Sequence, residues 1–137
     1  MSIVFLLDTN IVSEALRRSP DSRVVARLNR DAGLGLFICA VTVFELRFGA
    51  ARSARPAALW GRIQREIIGR FDVLPFEAAD AIAAADIMSA LEGSGRNAAL
   101  QDIWLAGTAA NRNLTFVTRN RRHFDPILNL KVENWFE

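Results

Sequence analysis

Three acidic residues stand where apolar segments of the chain give way to helical ones. Asp8 closes the apolar run at residues 3–7, Glu45 follows a second apolar run at 36–41, and Asp102 opens a helical segment. In an open parallel sheet the carboxyl ends of the strands share one edge, and ligands bind in the crevice there. Because carboxylate oxygens suit hard cations, we expect these acids to meet in a site for Mg²⁺ or Mn²⁺.

Each of these acids also has a structural interpretation. Asp8 and Asp102 are placed at helix N-termini, where an acid caps free amides and interacts favourably with the helix dipole. Glu45 lies three residues after Thr42, which matches the S/T-x-x-E capping box, in which the glutamate accepts from the threonine amide. The joint pattern favours the functional interpretation, because all three acids fall where helices begin after β segments or loops.

Polar residues follow the apolar run at residues 114–117. Thr118 and Asn120 are expected at the same sheet edge, where they would orient a metal-bound water or a phosphate; the alternative is a simple turn. His123, the only histidine, is interpreted as a solvated loop residue. The neighbouring arginines predict a phosphate-facing patch, although exposed arginines in a loop are common. They are Arg119, Arg121 and Arg122.

Strand-like and helical segments alternate along the chain. We predict strands at residues 3–7, 36–39, 72–74 and 114–118, and a short terminal strand at 132–135. The helical patterns cover residues 10–16, 21–30, 42–52, 56–68, 77–91 and 102–111. Within the fifth of these, Ile82 and Ile87 are expected to face inward. This alternation is typical of an α/β domain with a mostly parallel sheet.

The composition fits one compact domain. A chain of 137 residues buries a hydrophobic core and leaves no room for a second domain, so residues 1–137 are expected to form a single unit. The hydrophobic fraction of 51% and the mean hydropathy of +0.15 indicate apolar surface that a partner covers. Cys39 is the only cysteine, which excludes an internal disulfide and predicts a core residue.

Charge and segment length narrow the class of protein further. The net charge is only +2, and Lys131 is the only lysine. Arginines suit phosphate contacts, but a GC-rich genome explains their abundance equally well. With one histidine and one cysteine, an ordinary zinc site is not expected. No apolar stretch approaches the roughly 20 residues that span a bilayer, and the first residues lack a signal-peptide pattern, so we expect a cytoplasmic protein without a membrane segment.

Four blocks of the sequence resemble the PIN-domain ribonucleases, and among them the VapC-like toxins of bacterial toxin-antitoxin pairs. The blocks are Leu6-Leu7-Asp8-Thr9-Asn10, Thr42-Val43-Phe44-Glu45-Leu46-Arg47-Phe48-Gly49, Asp102-Ile103-Trp104-Leu105-Ala106-Gly107-Thr108-Ala109, and Val117-Thr118-Arg119-Asn120 followed by Phe124. The ending at residues 132–135 is also similar to this family. The resemblance covers nearly the whole chain, and four blocks in the right order form a specific signal.

The resemblance implies a PIN-like three-layer α/β/α fold with a mostly parallel central sheet, and a metal-dependent endoribonuclease. It carries the first three acids of the family onto Asp8, Glu45 and Asp102, with Mg²⁺ or Mn²⁺ as the cofactor. Thr118 and Asn120 complete the predicted catalytic set, and the arginines would follow the RNA backbone. The family further implies a cognate antitoxin that covers the active groove and an apolar patch of the helices within residues 42–68, and a homodimer.

The fourth acid of the family does not carry over. Where members often have an acid, this chain has Asn120 and, three residues on, His123, while Asp125 lies slightly beyond. The three acids that carry over still supply ligands for a first metal ion. Whether a second metal ion is bound stays open, because its acid is missing. Trp104 and Gly107 stand where smaller residues or alanine are common in the family, so the packing of this helix is expected to differ.

Two alternatives remain open. The missing fourth acid is compatible with a catalytically silent PIN domain that serves as an RNA- or protein-binding module. The second alternative is a sheet-edge phosphohydrolase with Asp8 as its nucleophile. However, Asp8-Thr9-Asn10 lacks the second aspartate two residues on that such hydrolases usually need for acid-base work.

Overall fold

A five-stranded parallel sheet forms the centre of the computed structural model, which describes residues 4–137. The strands are β1 (Phe5–Leu7), β2 (Leu36–Cys39), β3 (Asp72–Leu74), β4 (Thr115–Val117) and β5 (Lys131–Glu133). Their order is β3-β2-β1-β4-β5, and every neighbouring pair is parallel. The predicted α/β class with a parallel sheet is confirmed, while the predicted strand start at Ile3 lies outside the described residues.

Helices fill the connections between the strands. They are α1 (Thr9–Ala15), α2 (Ser22–Arg30), α3 (Ala40–Ala51), α4 (Pro56–Ile63), α5 (Ala78–Gly93), α6 (Leu100–Asn111) and α7 (Arg121–Phe124). A short 3₁₀ turn at Ala32–Leu34 precedes β2, and a π-helical turn at Gln64–Ile68 continues α4. The sequence located the first six of these helices, but α3 and α6 each begin two residues earlier than predicted, and α7 was not predicted. Among residues 4–137, no helix has the length and apolar character needed to cross a membrane.

The sheet separates two hydrophobic cores, because successive side chains of a strand point to opposite faces. Phe5 and Leu7 belong to the core with α1–α4, whereas Leu6 belongs to the core with α5 and α6. The layers are therefore α/β/α, as predicted. Cys39 is fully buried, as expected. Ile87 is buried, but the prediction for Ile82 was wrong, since 67% of its surface is exposed.

The terminal strand also ends earlier than predicted. Trp135 lies beyond β5 and is completely buried, with its ring centroid 5.2 Å from the Phe5 ring centroid in an edge-to-face arrangement. Its indole N–H donates to Glu133 at 3.0 Å, and the Arg27 guanidinium lies 4.7 Å from its ring centroid. The chain turns into the core at this point because the indole packs there, so the strand does not continue.

Helices α5 and α6 approach unusually closely at Gly107. A Cβ atom at this position would lie 2.5 Å from the Cα, Cβ and backbone nitrogen of Ala84. Real Cβ atoms essentially never show such contacts, so only a residue without a side chain fits. This contact fixes the position of α6, which carries Asp102 near its start.

A buried ion pair ties the beginning of α5 to the end of α6. Asp80 is completely buried and accepts hydrogen bonds from Asn111 and Arg112, as well as from the Glu77 amide at 2.8 Å. Burial opposes ionisation of Asp80, but these donors outweigh it and hold the pKa of the carboxyl below its usual value. Asp80 is therefore a structural acid with its own cationic partner.

Candidate active site

The predicted site residues lie around the carboxyl edge of β1 and β4. Asp8 follows β1 directly, and its amide donates to the Val117 carbonyl at the end of β4 at 2.9 Å. Thr118 is the next residue after β4. Asp102 occupies the first turn of α6, and Glu45 lies about one and a half turns into α3. The candidate residues therefore come from four separate segments of the chain.

Thr118 and Asn120 link two of the acids. The Thr118 hydroxyl donates to Asp8 Oδ2 at 2.8 Å, and the backbone N–H of Asn120 donates to the Thr118 hydroxyl at 3.1 Å. The Asn120 side chain then donates to Asp102 Oδ2 at 3.1 Å. A continuous set of hydrogen bonds thus runs from Asp8 to Asp102 and orients both carboxylates.

Glu45 is held by a different set of groups. The Thr9 hydroxyl donates to Glu45 Oε1 at 2.6 Å, and the Thr9 and Thr42 hydroxyl oxygens lie 2.9 Å apart. The capping-box interpretation is wrong, because α3 begins at Ala40 and Thr42 already lies inside its first turn. Thr9 was not singled out in the sequence, although its place directly after Asp8 was a usable signal.

The three acids influence one another electrostatically. Asp8 is only 1% exposed, and burial, followed by the Asp102 charge, raises its pKa to about 7. Burial also raises the pKa of Glu45, with a further contribution from the Asp102 charge. The pKa of Asp102 is raised by burial, against the Asn120 hydrogen bond and the His123 charge, which lower it. The arrangement therefore disfavours three simultaneous negative charges.

These three acids differ from the buried acids Asp31 and Asp80 in lacking a salt-bridge partner. Asp31 and Asp80 each pair with an arginine, whereas no salt bridge within residues 4–137 involves Asp8, Glu45 or Asp102. Buried charges in proteins are usually paired or bind a metal ion. The site thus has an unbalanced negative charge that a bound cation would neutralise.

The donor set fits a hydrated divalent cation. In the described part of the chain, no three His, Cys, Asp or Glu side chains are grouped closely enough to enclose a metal ion by themselves. Mg²⁺ usually keeps several waters and binds directly to only one or two carboxylates, so electrostatically coupled acids at somewhat larger separations suit it. Asp125 does not extend this set, because it is half-exposed and pairs with Arg121 at 3.2 Å.

The predicted basic patch lies next to Asn120. Its three arginines and His123 are all exposed, and they line a cavity of about 140 Å³ together with Asn120, Asn134 and Glu137. The Arg119 guanidinium lies 4.2 Å from the Phe136 ring centroid, whereas Arg121 is engaged by Asp125. Positive charge is therefore concentrated beside the acidic cluster.

The model of the family described as the PIN domain matches residues 5–127. The chain belongs to the PIN domain family. A tRNA(fMet)-specific endonuclease VapC from Shigella flexneri is 36% identical over 131 residues, which cover 96% of this PIN chain and 97% of that protein. Toxin FitB from Neisseria gonorrhoeae is also 36% identical, over 126 residues that cover 88% of this chain and 91% of the toxin.

A solved structure of a VapBC complex contains a chain with the same architecture. The crystal structure of VapBC2 from Rickettsia felis, bound to a DNA fragment from their promoter, contains a chain that superposes with a TM-score of 0.87 at 27% identity. The superposition covers 97% of this chain and 99% of that chain. The three-layer fold is therefore that of VapC PIN domains over almost the full length.

Proposed function

We propose that residues 1–137 act as a single PIN domain and as a Mg²⁺-dependent endoribonuclease, with Mn²⁺ as an alternative ion, and that this enzyme is the toxin of a toxin-antitoxin pair. The observation that carries the proposal is the group of three electrostatically coupled acids at the sheet edge that form no salt bridge within residues 4–137. The names of the Shigella endonuclease and the Neisseria toxin support the same activity and role.

In the proposed hydrolysis, each candidate residue has a separate role. Asp8 and Asp102 would hold the cation, and Glu45 would complete its surroundings directly or through water. When bound, the ion lowers the pKa of water and offsets negative charge on the scissile phosphate. The Glu45 carboxylate accepts a proton from the attacking water, while Thr118 and Asn120 keep the Asp8 and Asp102 carboxylates in place through the hydrogen bonds described above.

RNA would enter along the basic patch. Arg119 and Arg122 contact phosphates, and such contacts position a nucleic acid without reading its sequence. Arg121 contributes less, because Asp125 partly neutralises it. The activity named for the Shigella relative makes tRNA(fMet) the first substrate to test. We propose a cytoplasmic location, which is consistent with such a substrate.

A cognate antitoxin would cover the active groove. Beside Glu45 lies a mainly apolar cavity of about 290 Å³ between α1, α3 and α4, with Leu16, Leu46, Leu59 and Ile63 in its lining. An apolar segment of the antitoxin would fill this cavity and obstruct access to Glu45. The structural similarity to a chain of the VapBC2 complex from Rickettsia felis supports such a partner.

A second copy of the chain would cover the remaining apolar surface. Phe44 and Phe48 stack on the outer face of α3 with 66% and 52% exposure, and Ile82, Met88 and Leu100 are exposed on α5 and α6. Apolar side chains in such numbers are typical of a contact surface. We therefore propose a homodimer as the working unit.

Cleavage by the purified full-length chain tests this function. We expect internal cuts in an end-labelled tRNA(fMet) or a mixed RNA pool with Mg²⁺ or Mn²⁺, and none with EDTA. The readout is the length of the labelled products on a denaturing gel. RNA binding without cleavage in either metal ion would instead support the catalytically silent binding module.

Glu45→Gln is expected to lower the cleavage rate by roughly 10²- to 10⁴-fold, the usual contribution of a general base. A glutamine still accepts the Thr9 hydrogen bond through its carbonyl oxygen, so the free energy of unfolding should change by no more than about 1 kcal/mol. Single-turnover cleavage and thermal melts measure the two effects. Glu92→Gln, at an exposed position of α5, is the matched control and should cleave normally; normal turnover by Glu45→Gln would remove Glu45 from the mechanism.

A further inference from the structure

Thr42 has a hydroxyl group that the proposed mechanism has not used. It lies in the first turn of α3, three residues before Glu45, and it is completely buried. Its oxygen lies 2.9 Å from the hydroxyl oxygen of Thr9. Thr9 itself follows Asp8 and donates to Glu45 Oε1 at 2.6 Å, so three side chains from two helices form one continuous hydrogen-bonded set.

The number of available hydrogens fixes the direction of this set. A threonine hydroxyl carries one hydrogen, and an ionised carboxylate only accepts. The hydrogen of Thr9 is donated to Glu45, so Thr42 must supply the hydrogen that lies between the two hydroxyl groups. Within residues 4–137, the Thr42 side chain has no other hydrogen-bond partner, and burial keeps water from it. The order is therefore Thr42 to Thr9 to Glu45.

We propose that Thr42 is a positioning residue that orients the Glu45 carboxylate through Thr9. Because Thr9 is covalently joined to Asp8, this set fixes Glu45 relative to Asp8 as well. Oε1 of Glu45 is occupied by Thr9, whereas Oε2 has no hydrogen-bond partner among the described residues. Oε2 is thus left for a divalent cation or its water. The inference rests on the proposed function, since it places Glu45 beside that cation.

The competing explanation is that Thr42 only stabilises the fold. Thr108 provides a matched comparison, because it is equally buried and also lies in a helix. Its hydroxyl donates to the Trp104 carbonyl of its own helix at 2.9 Å and does not contact Glu45. Removing either hydroxyl with valine tests the same type of change at two buried threonines, only one of which is connected to Glu45.

Binding of Mn²⁺ alone, measured by isothermal titration calorimetry on the full chain, tests the proposal without RNA. We expect Thr42→Val to raise the Kd for Mn²⁺ about tenfold, the lower end of what loss of an outer-shell partner of a metal site usually causes. Thr42→Ser keeps a hydroxyl and should restore the parent affinity, and Thr108→Val should leave the affinity unchanged. In a Glu45→Gln background, Thr42→Val should cause no further loss.

Circular dichroism establishes that each variant is folded at the assay temperature. Thr42→Ala replaces Thr42→Val if the valine variant is not folded, since it removes the same hydroxyl with less bulk. Parent-like Mn²⁺ affinity in the folded variant overturns the proposal, and so does an equal loss with and without Glu45. A parent that binds no Mn²⁺ contradicts both this inference and the metal-dependent function, whereas a parent that binds Mn²⁺ without cleaving RNA contradicts only the function.

Discussion

Asp8→Asn and Asp102→Asn will each remove RNA cleavage while the protein stays folded. Asparagine has the shape of aspartate, and its carbonyl oxygen still accepts the hydrogen bond from Thr118 or Asn120. It does not supply the negative charge that a divalent cation requires. Loss of even an outer-shell partner of a metal site lowers activity by about 10- to 100-fold, so loss of a direct ligand should exceed about 100-fold.

Single-turnover cleavage at one fixed Mg²⁺ concentration measures this loss, and growth after induction of the chain gives the cellular readout. Asp86→Asn, at an exposed acid of α5, is the control and should remain active and toxic. If either Asp8→Asn or Asp102→Asn cleaves RNA at the parent rate, the assignment of the metal-binding acids is wrong.

In the presence of EDTA, Asp8→Asn is expected to be more stable than the parent at about pH 8 and to lose this advantage progressively as the pH falls from about 7 to about 4. The folded protein raises the pKa of Asp8 from 3.8 to about 7. A carboxyl with a raised pKa favours the folded state while it is protonated, and this contribution is lost as the pH rises through about 7. Asparagine never ionises, so the variant avoids a loss on the order of a few kcal/mol.

Thermal melts of both proteins across this pH range measure the difference in stability. The paired acids Asp31 and Asp80 are present in both proteins, so their contribution to the pH dependence cancels in the comparison. Added Mn²⁺ should narrow this difference near neutral pH. A ligand that binds only the folded state stabilises it by about 2.7 kcal/mol at one hundred times its Kd, and the variant should gain less than the parent. A parent that is insensitive to Mn²⁺, together with a variant less stable in EDTA, would mean that these acids only cap helices.

The sequence predicted the layers of the fold because local patterns determine them. Apolar runs alternate with helical patterns, and this alternation led to the parallel sheet. The failures occurred where the pattern is weak or the partner is distant. Helix α5 is so rich in alanine that its inner face is poorly marked, and Ile82 was therefore placed on the wrong side.

In the candidate site, too, features set by neighbouring residues were predicted, whereas contacts between residues far apart in the sequence were not. The positions of Asp8 and Asp102 at the starts of helical segments were visible in the sequence, whereas Glu45 lies deeper in its helix than predicted because α3 begins at Ala40. Thr42 was interpreted as a capping residue because its true partner, Thr9, is 33 residues away. The sequence did not mark Asp80 as a buried acid, although it is as buried as Asp8. What distinguishes a structural acid from a candidate metal ligand is the arginine beside it, and only the tertiary structure reveals that neighbour.

The contact between Gly107 and Ala84 has a consequence for genetics. Any side chain at position 107 would have to displace α5 or α6, and α6 carries Asp102. If the chain is toxic, a selection for cells that survive its expression should recover substitutions of Gly107 alongside those of the acids. Some of these survivors would carry all three carboxylates unchanged, and their escape would come from a shifted helix.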